Sequence, residues 1–224
     1  MYLKKRIGCL HAHHSNIDYI EQAFNGFQEI ELVHFVDPGL IQHVTKGTDH
    51  LSLKVKEQLE WIASCNIDVI LITCTNYIAL LKEEQLSLSI PIIKMDEPFF
   101  QMICEETQPQ FILFTNPATV DGTMERLYQY AKRHKKAINV QVKVLDNTFD
   151  LIMQGNKAAY NNAIIQYFRE IMNDGLRIAV SQLSMVEAAQ QFEEEFGVAI
   201  THPLLSLVEF WRLVDTKCAN PDKK

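Results

Sequence analysis

The sequence lacks the cysteine spacing of a protein held together by disulfides or structural zinc. Its five cysteines are Cys9, Cys65, Cys74, Cys104 and Cys218. An odd number at irregular spacing does not indicate a disulfide framework. No two of them form the Cys-x-x-Cys pair that is typical of structural zinc. A reducing compartment is therefore expected, and the predicted location is the cytoplasm.

Positive charge and long apolar runs are also scarce. The chain has 21 Lys and Arg against 28 Asp and Glu, a formal net charge of -7, which argues against broad attraction to nucleic acid. The one basic cluster, 132–136, ends a predicted helix, where it complements the helix dipole and faces solvent. Three histidines interrupt the apolar stretch after the basic amino terminus, so no signal peptide is expected. No apolar run could span a bilayer, and no membrane partner is expected.

Strands and helices alternate along the whole chain of 224 residues, which is enough for one large domain or two small ones. Such alternation predicts parallel sheets with right-handed crossovers, an α/β fold. The predicted strands are 6–12, 31–36, 69–73, 91–95, 110–114, 140–144, 177–181 and 198–201. The predicted helices are 17–24, 51–65, 77–86, 98–106, 120–133, 157–173, 185–196 and 204–213.

Eight strand–helix units fit either a single closed barrel, which usually needs about 250 residues, or two four-stranded lobes. A weak internal repeat favours the lobes, because three segments recur in order at nearly constant spacing. These segments are 35–37, 70–74 and 90–93, which recur at 144–146, 178–182 and 197–200. We predict two pseudo-symmetric lobes, 1–97 and 98–224, each a four-stranded parallel sheet flanked by helices, with a cleft between them. The C-terminal helix is expected to close the first lobe.

Cys74 is the most informative single residue. It follows a run of branched apolar residues that predicts a strand buried on both faces, and a helical pattern comes next. The thiol is thus expected at the carboxyl end of a parallel strand, where open α/β sheets bind ligands. The N–H groups of the next helix are expected to lower its pKa and favour the thiolate. A cysteine after an apolar strand is more often a small buried hydrophobic residue, so chemistry and packing both remain open.

Five segments along nearly the whole chain resemble the aspartate/glutamate racemase superfamily, which includes hydantoin racemases, arylmalonate decarboxylase and maleate isomerases. The segment 68–77 resembles the first cysteine motif of this family and 178–185 resembles the second. The resemblance implies two Rossmann-like lobes, no organic cofactor, a small carboxylate substrate and pairing into homodimers. The five segments are 7–12, 68–77, 91–97, 114–119 and 178–185.

In the racemases of this family, two cysteines flank the α-carbon of the substrate, so that one removes a proton and the other delivers one to the opposite face. Cys74 keeps the first cysteine position, but the second is occupied by Gln182. A carboxamide can bind an anion but has no usable acid/base pKa. The expected function is therefore a racemase- or isomerase-like enzyme acting beside a carboxylate. The alternatives are a one-cysteine decarboxylase or cis-trans isomerase, and a non-catalytic protein that binds small anions.

The candidate catalytic residues are Cys74, as acid/base or nucleophile, and His11, whose ordinary pKa would suit a base. Asn116 and Thr119 can also be read as ordinary helix caps. The candidate substrate-binding residues are Thr75, Asn76, Thr115, Asn116, Thr119, Ser181, Gln182 and Ser184.

A metal site is not expected from the sequence. His11 and His13 have the spacing of a metal-binding pair on a strand, but such a site needs distant ligands, such as His202 and a carboxylate. His13 and His14 are interpreted instead as polar loop residues, and Cys9 as inert packing inside the first strand.

Overall fold

The computed structural model of the protein describes residues 4–46 and 50–219. The chain divides between Asp96 and Glu97 into two compact units. Each unit contains one four-stranded parallel sheet flanked by helices, so the predicted α/β fold class is confirmed and the single barrel is excluded. The predicted closure of the first lobe by the C-terminal helix stays a prediction. Within the described ranges, no helix is both long and apolar enough to span a membrane.

The first unit has the strand order β2-β1-β3-β4. Its strands are β1 (Lys5–His11), β2 (Ile30–Val36), β3 (Val69–Ile72) and β4 (Ile92–Lys94). Its helices are α1 (Asn16–Phe24), α2 (Gly39–Thr45), α3 (Leu51–Ser64) and α4 (Thr75–Leu80). All four residues of β3 are buried, as expected for a central parallel strand that is covered on both faces.

The second unit has the strand order β6-β5-β7-β8, which repeats the topology of the first. The internal repeat predicted from the sequence is therefore present in the fold. Its strands are β5 (Gln110–Phe114), β6 (Val140–Val144), β7 (Arg177–Val180) and β8 (Ile200–Thr201). Its helices are α5 (Asp96–Glu105), which begins at the boundary between the units, α6 (Val120–Arg133), α7 (Thr148–Met153), α8 (Lys157–Ile171), α9 (Val186–Phe196) and α10 (Pro203–Ala219).

All eight predicted strands are present, but three helical segments differ from prediction. The short helices α2 and α7 were not predicted, because neither is long enough to show a helical period in the sequence. The helix predicted at 77–86 is instead the shorter α4, since Leu81 has an extended backbone that ends it. Leu81 and Leu86 pack against the core of the first unit, so tertiary packing overrides the helical propensity of the residues between them.

Gly8 lies where β1 packs tightly against Ile62 of α3. A Cβ atom at this position would lie 2.8 Å from the Cγ2 atom of Ile62 and 3.0 Å from that of Ile67. Contacts this short do not occur between real side chains, so the close packing of α3 on β1 requires glycine.

Replacing Gly8 with alanine should lower the free energy of unfolding by about 1–3 kcal/mol, because the added methyl group overpacks the core. Gly122→Ala is the matched control. Its new Cβ meets a side-chain atom of Arg126 at 3.5 Å, an ordinary contact, and alanine is favoured over glycine inside a helix by about 0.5–1 kcal/mol. Urea unfolding of the two variants measures both effects. A Gly8→Ala variant as stable as the unmodified protein would contradict this packing.

Candidate functional site

Cys74 lies at the carboxyl end of the first sheet. It directly follows Thr73, has an extended backbone and is the N-cap residue of α4. Thr75 and Asn76 form the first turn of that helix. The residue is partly exposed, at the edge where parallel sheets bind ligands.

Burial and hydrogen bonding shift the pKa of the Cys74 thiol in opposite directions. Burial raises it, whereas the backbone N–H groups of Tyr77 and Asn76 donate to the sulfur and lower it. Burial is the larger effect, and the pKa lies above the ordinary value of 9.0. The N–H groups of the following helix thus lower this pKa as expected, but the expectation of a pKa below the ordinary value is wrong. The helix has only six residues, and removing a thiolate from water costs more than two hydrogen bonds return.

The thiolate is the nucleophile in alkylation, so a raised pKa should make the alkylation of Cys74 slow at neutral pH. The rate should continue to rise at pH values where an ordinary thiol is already fully ionised and its rate no longer changes. Iodoacetamide labelling with peptide mass mapping across a pH series measures this rate. The same peptide labelled in unfolded protein provides the curve of an ordinary thiol. Faster labelling of Cys74 in the folded protein than in the unfolded one at neutral pH would contradict the raised pKa.

His11 is fully buried at the end of β1, and both of its ring nitrogens have partners. Its Nδ1 atom lies 2.8 Å from Thr73 Oγ1, and its Nε2 atom lies 2.8 Å from His34 Nδ1. The other ring nitrogen of His34 lies 3.0 Å from Glu21 Oε1. Burial, and to a smaller extent His34, lower the pKa of His11 to about 4. This imidazole is therefore neutral at pH 7, and its predicted role as a base stays a prediction.

Gln182 follows β7 in the second unit, and its side-chain carbonyl accepts three hydrogen bonds. The donors to Oε1 are the backbone N–H of Thr115 at 2.7 Å, the backbone N–H of Asn116 at 3.2 Å and the hydroxyl of Thr115 at 2.9 Å. Because all three groups donate to one atom, this atom must be the oxygen of the carboxamide. The NH₂ group is then the end that remains for a ligand. The predicted placement of Cys74 and Gln182 across a cleft stays a prediction.

The hydroxyl of Tyr160 adds to the hydrogen bonds around the side chain of Gln182. The hydroxyl of Thr115 donates to Gln182, so it accepts from the hydroxyl of Tyr160, 2.9 Å away. The hydroxyl of Ser184 lies 2.8 Å from that of Tyr160 and completes the chain of donors. Sequence analysis missed Tyr160, because it reaches the group from α8 and no local motif marks it.

The other candidates in the second unit bond to nearby backbone groups. Ser181 donates to the carbonyl of Leu113 at 3.3 Å, and Thr119 donates to the carbonyl of Asn116 at 2.9 Å. The side chain of Asn116 accepts from the N–H of Ala118 at 3.1 Å, so the capping interpretation of Asn116 is confirmed. Ligand binding by these side chains stays a prediction.

His202 is a further buried imidazole, at the end of β8. Its Nδ1 atom accepts the backbone N–H of Leu205 at 3.1 Å, which leaves the proton of the neutral ring on Nε2. Burial lowers its pKa to about 4. Sequence analysis considered His202 only as a distant metal ligand, because its burial was not apparent from the sequence.

The buried histidines should make the protein less stable in mild acid. The pKa of His202 is about 4 in the folded protein and ordinarily 6.5. As the pH falls, His202 is therefore protonated near pH 6.5 in the unfolded chain but only near pH 4 in the folded protein. The stability that the neutral His202 side chain contributes is complete above pH 6.5 and is lost as the pH falls through 4. At about 1.4 kcal/mol per pKa unit, this loss is roughly 3 kcal/mol.

Urea unfolding between pH 7 and pH 4 measures this loss. His202→Asn should lose less stability over that range than the unmodified protein, by roughly 3 kcal/mol. His13→Asn provides the control, because it removes an exposed imidazole, and its slope is compared with that of His202→Asn. Equal slopes for His202→Asn and the unmodified protein would show that His202 is not held neutral.

Several solved enzymes share this fold. The aspartate racemase of Picrophilus torridus matches with a TM-score of 0.67 at 11% identity, covering 91% of each chain. Glutamate racemase from Francisella tularensis, in complex with D-glutamate, matches with a TM-score of 0.62 at 15% identity, covering 99% of this chain and 85% of the other. A mutant of arylmalonate decarboxylase in a sulfate-associated form has a TM-score of 0.57 at 15% identity, covering 94% and 92%.

Sequence comparison alone does not detect this relationship. No protein-family profile matches the chain, and no curated protein sequence does so. The structural matches lie at low identity, so they establish a common fold. At the level of the fold, the predicted resemblance to the aspartate/glutamate racemase superfamily is confirmed.

Proposed function

We propose that this chain, which has the fold of the aspartate and glutamate racemases, is a cofactor-independent enzyme that transfers a proton at a carbon next to a carboxylate. The observation that carries the proposal is the thiol of Cys74. Cys74 is a partly exposed residue at the carboxyl end of β3, and the N–H groups of Asn76 and Tyr77 donate to its sulfur. These donors stabilise the thiolate that remains after proton transfer.

The raised pKa of Cys74 favours one direction of transfer. A thiol that is protonated at neutral pH is ready to deliver a proton, whereas a thiolate is needed to remove one. The chemistry that fits is the protonation of an enolate formed by loss of CO₂ from an activated dicarboxylate. The breaking C–C bond leaves its electron pair on the α-carbon, and the Cys74 proton neutralises it. Decarboxylation with one-sided protonation is therefore the favoured reaction within the proposal.

Gln182 is proposed to bind the substrate rather than to transfer protons. Its carbonyl oxygen is held by three donors, so its NH₂ group can donate to a carboxylate oxygen. A carboxamide cannot supply the second acid/base group that inversion requires. Racemisation of glutamate or aspartate by a two-thiol route is therefore not expected. Pairing into homodimers and a cytoplasmic location stay predictions.

The test is a screen of small carboxylic acids in heavy water, followed by NMR and chiral chromatography. The panel contains substituted malonates, maleate, glutamate and aspartate. We expect a malonate to lose CO₂ and to gain one deuterium on a single face, with no inversion of either amino acid. Racemisation of glutamate or aspartate at rates typical of enzymes would overturn the one-thiol proposal. Binding of carboxylates without turnover of any of them would favour a binding protein instead.

A further inference from the structure

We propose that Cys9, His11 and His34 form a binding site for one divalent metal ion of the zinc class. The strand register brings the three side chains to one face of the first sheet. Cys9 and His11 are two residues apart on β1, so their side chains share a face. His34 on β2 is the register partner of Cys9, which places it beside both. Sequence analysis missed this group, because the pairing of β1 with β2 is not apparent from local spacing.

The three ligand atoms lie close enough together to share one ion. One ligand atom from each residue lies within 4.8 Å of the other two, so a single point can be placed within about 2.8 Å of all three. Zinc bonds are about 2.3 Å to sulfur and 2.0–2.1 Å to imidazole nitrogen. To reach these distances, the sulfur moves inward by about 0.5 Å and the nitrogens by about 0.7–0.8 Å. The two rings must also turn, because His11 Nε2 and His34 Nδ1 now face each other across 2.8 Å. One thiolate and two imidazoles are a donor set that zinc prefers.

The outer nitrogens of both imidazoles have the partners that metal-bound histidines need. In metal sites, the nitrogen that does not bind the ion donates to an oxygen, which orients the ring. His34 Nε2 lies 3.0 Å from the carboxylate of Glu21. His11 Nδ1 lies 2.8 Å from the hydroxyl oxygen of Thr73, and that hydroxyl can donate in turn to the carbonyl of Leu10 at 3.1 Å. The inner nitrogens, His11 Nε2 and His34 Nδ1, are thereby left for the ion.

The hydrogen bonds allow the protons to be followed. Without metal, the hydroxyl of Thr73 can donate to His11 Nδ1 or to the carbonyl of Leu10; when it donates to His11, the Nε2–H of His11 donates to His34 Nδ1 across 2.8 Å. When the ion enters, the proton of His11 moves from Nε2 to Nδ1, and the Thr73 hydroxyl turns to the carbonyl of Leu10. Only the thiol proton of Cys9 leaves the protein, so each metal ion releases one proton.

Charge also favours a cation at this place. The carboxylate of Glu21 lies 3.0 Å from His34 Nε2, so negative charge lies directly beside one of the proposed ligands. A divalent ion balances the charges of this carboxylate and of the Cys9 thiolate. Cys74 takes no part in this site, so the inference does not depend on the proposed function.

The test is titration of the chelator-treated full-length protein with Zn²⁺ and with Co²⁺. Calorimetry in two buffers of different ionisation enthalpy should give one ion bound and one proton released. Bound Co²⁺ should show a thiolate-to-cobalt charge-transfer band. The calorimetry and the Co²⁺ spectrum are both measured on the unmodified protein. Absence of a bound ion, or a Co²⁺ spectrum without the thiolate band, would overturn the proposal even if no variant folds.

Variants then identify the ligands. Cys9→Ser should abolish the charge-transfer band, and His34→Asn should weaken binding by at least 100-fold. Glu21→Gln should weaken binding about 10–100-fold and leave the band in place, because Glu21 acts through His34. The control is His13→Asn combined with His14→Asn, which removes an exposed pair of rings 4.2 Å apart. Binding lost in this control and retained in Cys9→Ser would show adventitious surface binding and overturn the proposal.

Discussion

Replacing Cys74 with serine should reduce turnover of any carboxylate substrate by about 10²–10⁴-fold, the usual contribution of one general acid/base group. A hydroxyl is far less acidic than a thiol, so serine cannot deliver the proton that the proposed reaction needs. The substrate-binding groups remain in place, so the Michaelis constant should change little. The measurement is steady-state kinetics on the best substrate of the heavy-water screen.

Cys65→Ser is the matched control for this substitution. Cys65 is also a partly exposed free thiol, but it lies at the C-terminal end of α3. This variant should retain the full rate. Retention of activity by Cys74→Ser, or equal losses in both variants, would mean that Cys74 does not carry the proton.

Replacing Gln182 with leucine should destabilise the protein by about 1–3 kcal/mol, because it removes the acceptor from the N–H groups of Thr115 and Asn116 and from the hydroxyl of Thr115. Gln182→Glu is the matched variant, since a carboxylate oxygen can accept the same three bonds. It should be at least as stable as the unmodified protein at pH 7. Thermal unfolding of the two variants at pH 7 measures this difference.

The glutamate variant should also show a distinct pH dependence. Hydrogen bonds to a carboxylate lower its pKa, so the stability that they add is present above the ordinary glutamate pKa of about 4.3. That stability is lost as the pH falls through the lower pKa of the folded state. Thermal unfolding from pH 7 to pH 3 should therefore fall more steeply for Gln182→Glu than for the unmodified protein. Parallel curves would contradict the arrangement of donors around position 182.

Ligand binding distinguishes the structural role of the Gln182 carbonyl oxygen from the proposed role of its NH₂ group in binding a carboxylate. The carboxylate in Gln182→Glu accepts hydrogen bonds but has no N–H group to donate, and its charge repels an anion. Affinity for small carboxylates should fall at least 10-fold, the equivalent of about 1.4 kcal/mol, although the protein stays folded. Calorimetric titration with the best ligand of the screen measures it. Unchanged affinity would show that the NH₂ group of Gln182 does not bind the carboxylate.

The strands could be predicted because their cause is local. A run such as 69–72 is apolar at every position, and this pattern is typical of a parallel strand covered on both faces. The placement of Cys74 follows from the same pattern, because the residue after such a strand lies at the carboxyl edge of the sheet. The short helix α2 could not be predicted from its own residues. Whether so few residues form a helix depends on packing against the core and on Asp37, which accepts the N–H of Gly39 at 2.9 Å.

The hydrogen-bonded groups could not be predicted for a different reason. Glu21, His34 and Thr73 lie 10 to 62 residues from His11 in the sequence. The pairing of β1 with β2 and β3 brings His34 and Thr73 to His11, and Glu21 reaches His34 from α1. Gln182 was expected to bind an anion, but the orientation of its carboxamide depends on donors from the loop after β5. No pattern within either segment shows that the two will meet.

The sequence by itself determined the eight strands, their alternation with helices, the repeat of one topology in two units and the position of Cys74 after β3. These features depend on which residues are apolar and in what order. Only the tertiary structure decided the protonation of the candidate groups. The pKa of Cys74 is raised and those of His11 and His202 are lowered, because each shift depends on how completely distant residues remove the group from water.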